Sequence, residues 1–246
     1  MKRFACLAGL LLMSSLEAPA ADGAREVYVY KADWRLGRAG TIRLDYLPAT
    51  GDKPAAASLH LNSEGLVSRL YRVENHYSVT FDSGFCASAT RMDAKEGKKH
   101  RLTEVTFHRI PGKAELLETD LLANRQVSAR EIDIPPCVHD VVAGLGKLRT
   151  MSLAPGQTLY LPVSDGRKSV NARVDALAEE TIRTSQGVFR SLRCEAHLFN
   201  NNLYRRRGRL FIWLSSDGRR IPVKILLDLP FYIGNVAIEL EKIEKP

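Results

Sequence analysis

Residues 41–46, Thr41-Ile42-Arg43-Leu44-Asp45-Tyr46, alternate polar and apolar side chains without a break, and the same beat returns along the chain. Successive side chains of an extended strand point to opposite faces, so Ile42, Leu44 and Tyr46 share one face while Thr41, Arg43 and Asp45 share the other. Val105 and Phe107 stand against Glu104, Thr106 and His108. Val170, Ala172 and Val174 stand against Asn171, Arg173 and Asp175, and Val236, Ile238 and Leu240 against Ala237, Glu239 and Glu241. Strands that bury one face and wet the other belong to antiparallel sheets. Asp165-Gly166 and Asp217-Gly218 each separate two alternating stretches, and Asp-Gly is a strong hairpin signal. The pattern predicts an all-β fold of roughly a dozen or more strands in one large curved or barrel-like antiparallel sheet.

One main helix is expected to interrupt the strands. Over 138–150, Val138, Val141, Val142, Leu145 and Leu148 form an apolar stripe at helical spacing. Pro135-Pro136 before it and Pro155-Gly156 after it supply boundaries. Gly144 and Gly146 weaken such a helix by about 1 kcal/mol each relative to alanine. Close approach to the sheet, or a helix that moves, would account for that loss. Leu66, Val67 and Leu70 predict a second helix of two turns over 64–71. No internal repeat or low-complexity linker divides the chain, and 50–57 reads as a loop.

The start of the chain carries an address. Met1-Lys2-Arg3 is basic, 4–16 is an apolar run, and Ala18-Pro19-Ala20 offers the small-x-small pattern of a signal-peptidase site. The run is shorter than the roughly 20 residues a membrane span needs. Residues 1–20 are therefore expected to be a signal peptide and 21–246 a single β-rich domain, periplasmic or secreted. The chain carries a formal charge of +8, and it stays basic once Lys2, Arg3 and Glu17 are removed. A basic exported protein is drawn to anionic lipid headgroups by a field that salt screens, so peripheral contact with an anionic membrane is expected. Nucleic acid is not expected as a partner, because no nucleic-acid-binding signature occurs.

Cys86, Cys137 and Cys194 follow the leader, and an odd number in an oxidising compartment predicts one bridge and one free thiol. Cys194 shares its parity with Leu192, Ala196 and Leu198, which places it on an apolar face as a small buried hydrophobe. Cys86 falls on the polar face with Ser88 and Thr90, opposite Phe85, Ala87 and Ala89, and Cys137 follows Pro135-Pro136 at the mouth of the helix. The expected bridge is Cys86–Cys137.

Several segments together resemble the exported bacterial family known as domain of unknown function 3108. Tyr30-Lys31-Ala32-Asp33-Trp34-Arg35-Leu36-Gly37-Arg38-Ala39-Gly40 is similar to its first hairpin, and Glu64-Gly65-Leu66-Val67-Ser68-Arg69-Leu70-Tyr71 to its next marker. Asp140-Val141-Val142 through Arg149 resembles its central helix. Pro155-Gly156-Gln157 and the run Ile212-Trp213-Leu214-Ser215-Ser216-Asp217-Gly218-Arg219-Arg220-Ile221-Pro222-Val223-Lys224-Ile225 complete the likeness. The chain departs from the family pattern at 144–147, where bulkier aromatic residues are expected. The resemblance implies a curved antiparallel sheet like that of periplasmic lipoprotein carriers, whose concave apolar face accepts acyl chains. It implies no established activity.

The residues offer no catalytic constellation. His60, His76, His100, His108, His139 and His197 occur singly, and there is no Cys-x-x-Cys pair, serine elbow, Walker loop or dinucleotide fingerprint. No catalytic residue, metal or cofactor is therefore expected. His139-Asp140 stands at the first helical turn, where a carboxylate complements the helix dipole. Two features suit a binding module. Arg205, Arg206 and Arg207 form a dense basic turn, and arginine forks match phosphates bidentately. Trp34 and Trp213 are candidates to line the inner surface or to anchor the core. The leading expectation is a protein that binds a lipid or lipidated partner on the concave face of its sheet. The alternative is a structural or interaction module that meets envelope proteins through exposed strand edges. A third reading is a hydrolase acting on an envelope polymer.

Overall fold

The computed structural model describes residues 24–244 other than 36, 232 and 233. The signal peptide expected over 1–20 lies outside the described residues. The alternating stretches become strands where they were read. Two meanders make up the structure. The first contains β1 (Glu26–Trp34), β2 (Gly37–Leu47), β3 (Ala55–Ser63), β4 (Val73–Phe81), β5 (Ala87–Glu96), β6 (Lys99–His108), β7 (Lys113–Asp120) and β8 (Arg125–Asp133), with the short helix α1 (Gly65–Leu70) between β3 and β4. The second contains β9 (Thr158–Ser164), β10 (Ser169–Thr184), β11 (Gly187–Ala196), β12 (Arg209–Ser215), β13 (Pro222–Asp228) and β14 (Val236–Glu244). Helix α2 (Val141–Thr150) lies between the two.

Antiparallel pairing of β1 with β14, Tyr28 opposite Ile243 and Ala32 opposite Ile238, fuses the meanders into one 14-stranded sheet with β8 and β9 at its edges. Bulges at Val29/Tyr30, Ala32/Asp33, Thr80/Phe81, Ala176/Ala178 and Trp213/Leu214 bend the strands. An extra residue on one strand increases its local twist and curl. The sheet is barrel-like, but β8 and β9 do not pair.

Packing and the crossing segment 134–140 span the gap instead. The Ile134 N–H donates to Gly112 and the Ala87 N–H to Val138, tying the segment to the first meander at 2.9 and 2.8 Å. His139 and Ser164 donate to Pro162 and His139, tying it to β9 at 2.9 Å each. The disulfide Cys86–Cys137 fastens the segment to the β4–β5 turn, and Cys194 is free and buried, as strand parity required. From the other side the β9–β10 turn leans onto the first meander. Arg167 pairs with Glu118 at 2.6 Å, and a Cβ on Gly166 would stand 2.6 Å from Val105 Cγ2. Asp-Gly is thus fixed here twice, by the positive φ of 78° at Gly166 and by the close approach.

Helix α2 begins three residues later than its apolar stripe, because Val138 and His139 are drawn into extended pairing with Ala87 and β9. Asp140 then serves as N-cap, accepting from the Val142 and Ala143 N–H groups at 2.8 and 2.7 Å. Gly146 answers a steric demand. A Cβ on Gly146 would lie 2.5 Å from the Phe85 ring, and Phe85 stacks on Phe81 at 5.0 Å.

Candidate functional site: an apolar cavity beneath a basic loop

Helix α2 lies inside the curve and treats its two sides differently. Toward the first meander Ala143, with Val138 of the preceding segment, packs with Val79, Phe81, Val105, Phe107 and Leu116 into a filled core. Toward β1–β3 and the second meander the inward side chains stop short of the helix and leave a partly open cavity of about 380 Å³. Its walls follow from strand parity. They are Ile42 and Leu44 of β2, Leu59 of β3, Leu161 and Val163 of β9, Ala172 and Val174 of β10, Ala196 of β11, Leu210 and Ile212 of β12, Ile225 and Leu227 of β13, and Ile238 of β14. Val141, Val142, Gly144, Leu145 and Leu148 of α2 form the remaining side, where Gly144 leaves the helix backbone bare. Only two lining side chains, Tyr30 and Tyr204, carry a polar atom.

Both ends of α2 are fixed. The Tyr77 hydroxyl donates to Asp140 Oδ2 at 2.6 Å, and His139, kept neutral by burial, donates its Nδ1–H to the Phe85 carbonyl at 2.7 Å. At the far end the Arg149 guanidinium lies 5.4 and 5.3 Å from the Tyr28 and Tyr46 rings. It pairs with Glu26 at 2.7 Å and donates to the Arg219 and Arg220 carbonyls. The helix is thus a fixed wall of the cavity.

The loop 197–208 between β11 and β12 supplies Leu198, Phe199 and Tyr204 to the wall. Tyr204 packs against Phe199 at 5.5 Å, and burial pushes its phenol up to about 12. Immediately after Tyr204 come Arg205, Arg206 and Arg207, all exposed, none paired with a carboxylate among the described residues. That sets them apart from neighbouring cations, since Arg209 is held by Glu195 at 2.8 Å, Arg193 by Glu180 and Arg173 by Asp175.

The tryptophans lie elsewhere. Trp213 has the parity opposite to Ile212 and so occupies the face away from the cavity. There its Nε1–H donates to Glu180 at 2.7 Å, and the Lys224 ammonium sits 5.6 Å from the ring. It is buried because the far end of the β10–β11 hairpin folds over this face: Ser185 and Gln186 bond the Glu241 carbonyl, and Ile182 and Phe189 join the cluster of Phe211 and Trp213. Trp34, at the end of β1, lies under the Arg35 guanidinium at 5.2 Å and is not among the cavity residues. The cavity lining includes neither tryptophan and none of the three arginines, which follow its lining residue Tyr204 in the same loop.

Two residues that sequence reading passed over, Tyr30 and Tyr204, provide the cavity's polar atoms. The signals were present: Tyr30 repeats the inward parity of Tyr28, and Tyr204 directly precedes the arginines.

Carboxylates on the strands and their turns are engaged in ion pairs. Glu179 pairs with Arg190, Glu239 with Lys31 and Lys224, and Glu241 with Arg38. No group of three or more metal-ligating side chains occurs among the described residues.

Comparison with known proteins extends this description. No curated protein matches the chain. Among solved structures it is similar to a beta-barrel-like protein of domain of unknown function DUF1849 from Brucella abortus, at a TM-score of 0.57 and 10% identity over 89% of this chain and 97% of that one. At that identity the likeness concerns the fold alone. A structure of a "putative lipoprotein" from Parabacteroides distasonis aligns at a TM-score of 0.33 and 10% identity, over 89% of this chain and 94% of that one. The profile of the family described as protein of unknown function (DUF3108) matches residues 29–241, almost the whole of the described sheet, and the chain belongs to that family.

Proposed function

We propose that this is a periplasmic binding protein for an amphiphile, with an acyl chain seated in the cavity and an anionic headgroup held by Arg205, Arg206 and Arg207. The observation that carries the reading is that one loop contributes both the apolar lining residues Leu198, Phe199 and Tyr204 and three arginines that pair with no carboxylate among the described residues. An arginine fork with no internal carboxylate is available to a phosphate or carboxylate. The cavity falls in the range of roughly 300–1,000 Å³ typical of small-molecule sites. The disulfide and the expected leader support export to an oxidising compartment. The basic loop also supports peripheral contact with anionic membrane, from which a lipid or the acyl chain of a lipidated protein would be drawn.

Titration with stearate and with lysophosphatidylglycerol, read by native mass spectrometry, tests this. One molecule is expected to bind per chain. Replacing Arg205, Arg206 and Arg207 by serine should weaken the anionic ligands and leave stearyl alcohol unchanged, while Ala172→Phe, which fills the cavity, should abolish all binding. Wild-type protein that takes up none of them would refute the reading.

The open edge favours a second reading. No strand pairs with the outer side of β8 among the described residues, so a partner from envelope assembly has a ladder to join there. A photoreactive residue at Ser128 should crosslink to one protein in intact cells if so, and to none if β8 is only an edge.

A further inference from the structure

Neighbouring strands of a meander run in opposite directions, so every second connection falls at the same end of the sheet. The β1–β2, β3–β4, β5–β6 and β7–β8 connections share one end, and the pairing of Trp34 with Val236 brings β13–β14, β11–β12 and β9–β10 to it. These connections touch in series. The Leu121 N–H donates to the His100 carbonyl at 2.9 Å, Gly97 to Arg72 at 2.8 Å and Glu64 to Ala39 at 2.7 Å. Gly234 lies against Arg35, Gly208 against Leu229, and the Lys168 ammonium donates to the Asn201 carbonyl at 2.7 Å. Arg167 on Glu118 returns the series to β7 and completes a ring.

The ring exposes two kinds of side chain. Leu66 and Leu70 of α1 are 68% and 76% exposed, Leu122 is 68% and Phe231 98%, and no residue of α1 is buried. A single exposed leucine is ordinary, but apolar tips gathered among free cations mark an interaction surface. Arg69, Lys98, Lys99 and Arg125 are exposed and, like Arg205, Arg206 and Arg207, pair with no carboxylate among the described residues. Carboxylates at this end are engaged within the chain: Glu64 by Arg38, Glu74 by Arg72 and Lys95, and Asp120 by the Leu122 and Ala123 N–H groups. The opposite end exposes Ile110 and Val188, but there Arg109 pairs with Asp82, Arg149 with Glu26 and Arg219 with Asp217.

Resting on the membrane contact in the reading above, we infer that this end docks on an anionic bilayer, with Leu66, Leu70, Leu122 and Phe231 entering the boundary between headgroups and acyl chains and the free cations meeting lipid phosphates. The loop that lines the cavity then stands at the lipid surface. The apolar tips choose a bilayer over a soluble polyanion, which offers them nothing to enter.

The test is flotation of the chain lacking residues 1–20 with phosphatidylcholine vesicles that contain or lack phosphatidylglycerol. Binding is expected to need phosphatidylglycerol and to fall as salt is raised. Replacing Leu66, Leu70 and Leu122 by serine should weaken it at least about tenfold. Replacing Arg69, Lys98, Lys99 and Arg125 by glutamine should weaken it more than about a hundredfold, at about fivefold per cation. Serine at both Ile110 and Val188 should change nothing. None of these residues lines the cavity, so all three variants are expected to take up stearate from solution as wild type does. Wild type that takes up stearate yet floats with neither vesicle overturns the docking and leaves the amphiphile reading standing, and flotation without uptake of any ligand does the reverse. Undiminished flotation of the leucine variant would reveal attraction to bare charge alone and would also overturn the inference.

Discussion

Asp140 shows how much one side chain carries. It caps α2, accepts the Tyr77 hydroxyl and is buried, and that burial raises its pKa against the pull of Tyr77 and the two helix N–H groups. Asp140→Ala is expected to lose about 2–4 kcal/mol in urea unfolding, combining a lost N-cap with an orphaned buried hydroxyl. A raised carboxyl contributes stability at low pH and loses it as pH climbs through the folded value, so the charge itself is a cost at neutrality. Asp140→Asn, nearly as good a cap and uncharged, should therefore lose less than half as much. Asp175 has the opposite sign. Burial raises its pKa, but Thr158, Arg173 and His197 at 2.6, 2.8 and 2.8 Å more than reverse this and hold it at about 2. Its stabilising share is complete above the ordinary carboxylate range and is lost as pH falls toward 2. The melting-temperature gap between wild type and Asp175→Asn should narrow between pH 5 and pH 2, and a gap that stays constant would contradict this. Neither partnership was legible in the sequence, because Asp140–Tyr77 and Asp175–His197 join residues far apart along the chain.

At the scale of the element, α2 was legible as a helix and illegible as a fit. Its stripe and its Pro boundaries gave its existence, while the role of its glycines depended on what it meets. Gly146 faces Phe85 at 2.5 Å, whereas a Cβ on Gly144 would meet nothing closer than 3.6 Å. Both gain about 1 kcal/mol of helix propensity on substitution by alanine. Only Gly146→Ala adds an overpacking cost of about 1–3 kcal/mol, so it should be less stable than Gly144→Ala by that amount in the same denaturant assay. Strand β12 teaches the complementary lesson. Leu210-Phe211-Ile212-Trp213-Leu214 shows no alternation because both its faces are covered, Leu210, Ile212 and Leu214 toward the second meander's core and Phe211 and Trp213 beneath the returning hairpin.

For the whole molecule, closure rests on the crossing segment rather than on a ladder between β8 and β9. The Cys86–Cys137 bridge fastens that segment across a sequence separation of 51. It is worth about 4 kcal/mol by loop entropy. Replacing both cysteines by alanine should lower the melting temperature by roughly 8–16 °C for a chain of this size. Cys194 bears on the same question of thiols: burial pushes it up to about 11, so native protein should not react with a thiol reagent at pH 8. After unfolding without reduction, protein lacking residues 1–20 should show one reactive thiol, and three would disprove the bridge.

Periodicity alone determined that this chain makes antiparallel strands with one wet face, where its hairpins turn, that Cys194 lies on an apolar face and that a helix interrupts the series. These are local properties, set by neighbours two to four positions apart. Only the tertiary structure decided that β1 meets β14, that the sheet stays open between β8 and β9, that Trp213 faces away from the interior, and that a hollow remains beside α2. Those outcomes depend on how curvature sums over fourteen strands and on the volume left when distant faces meet, and neither quantity is written in any short stretch of sequence.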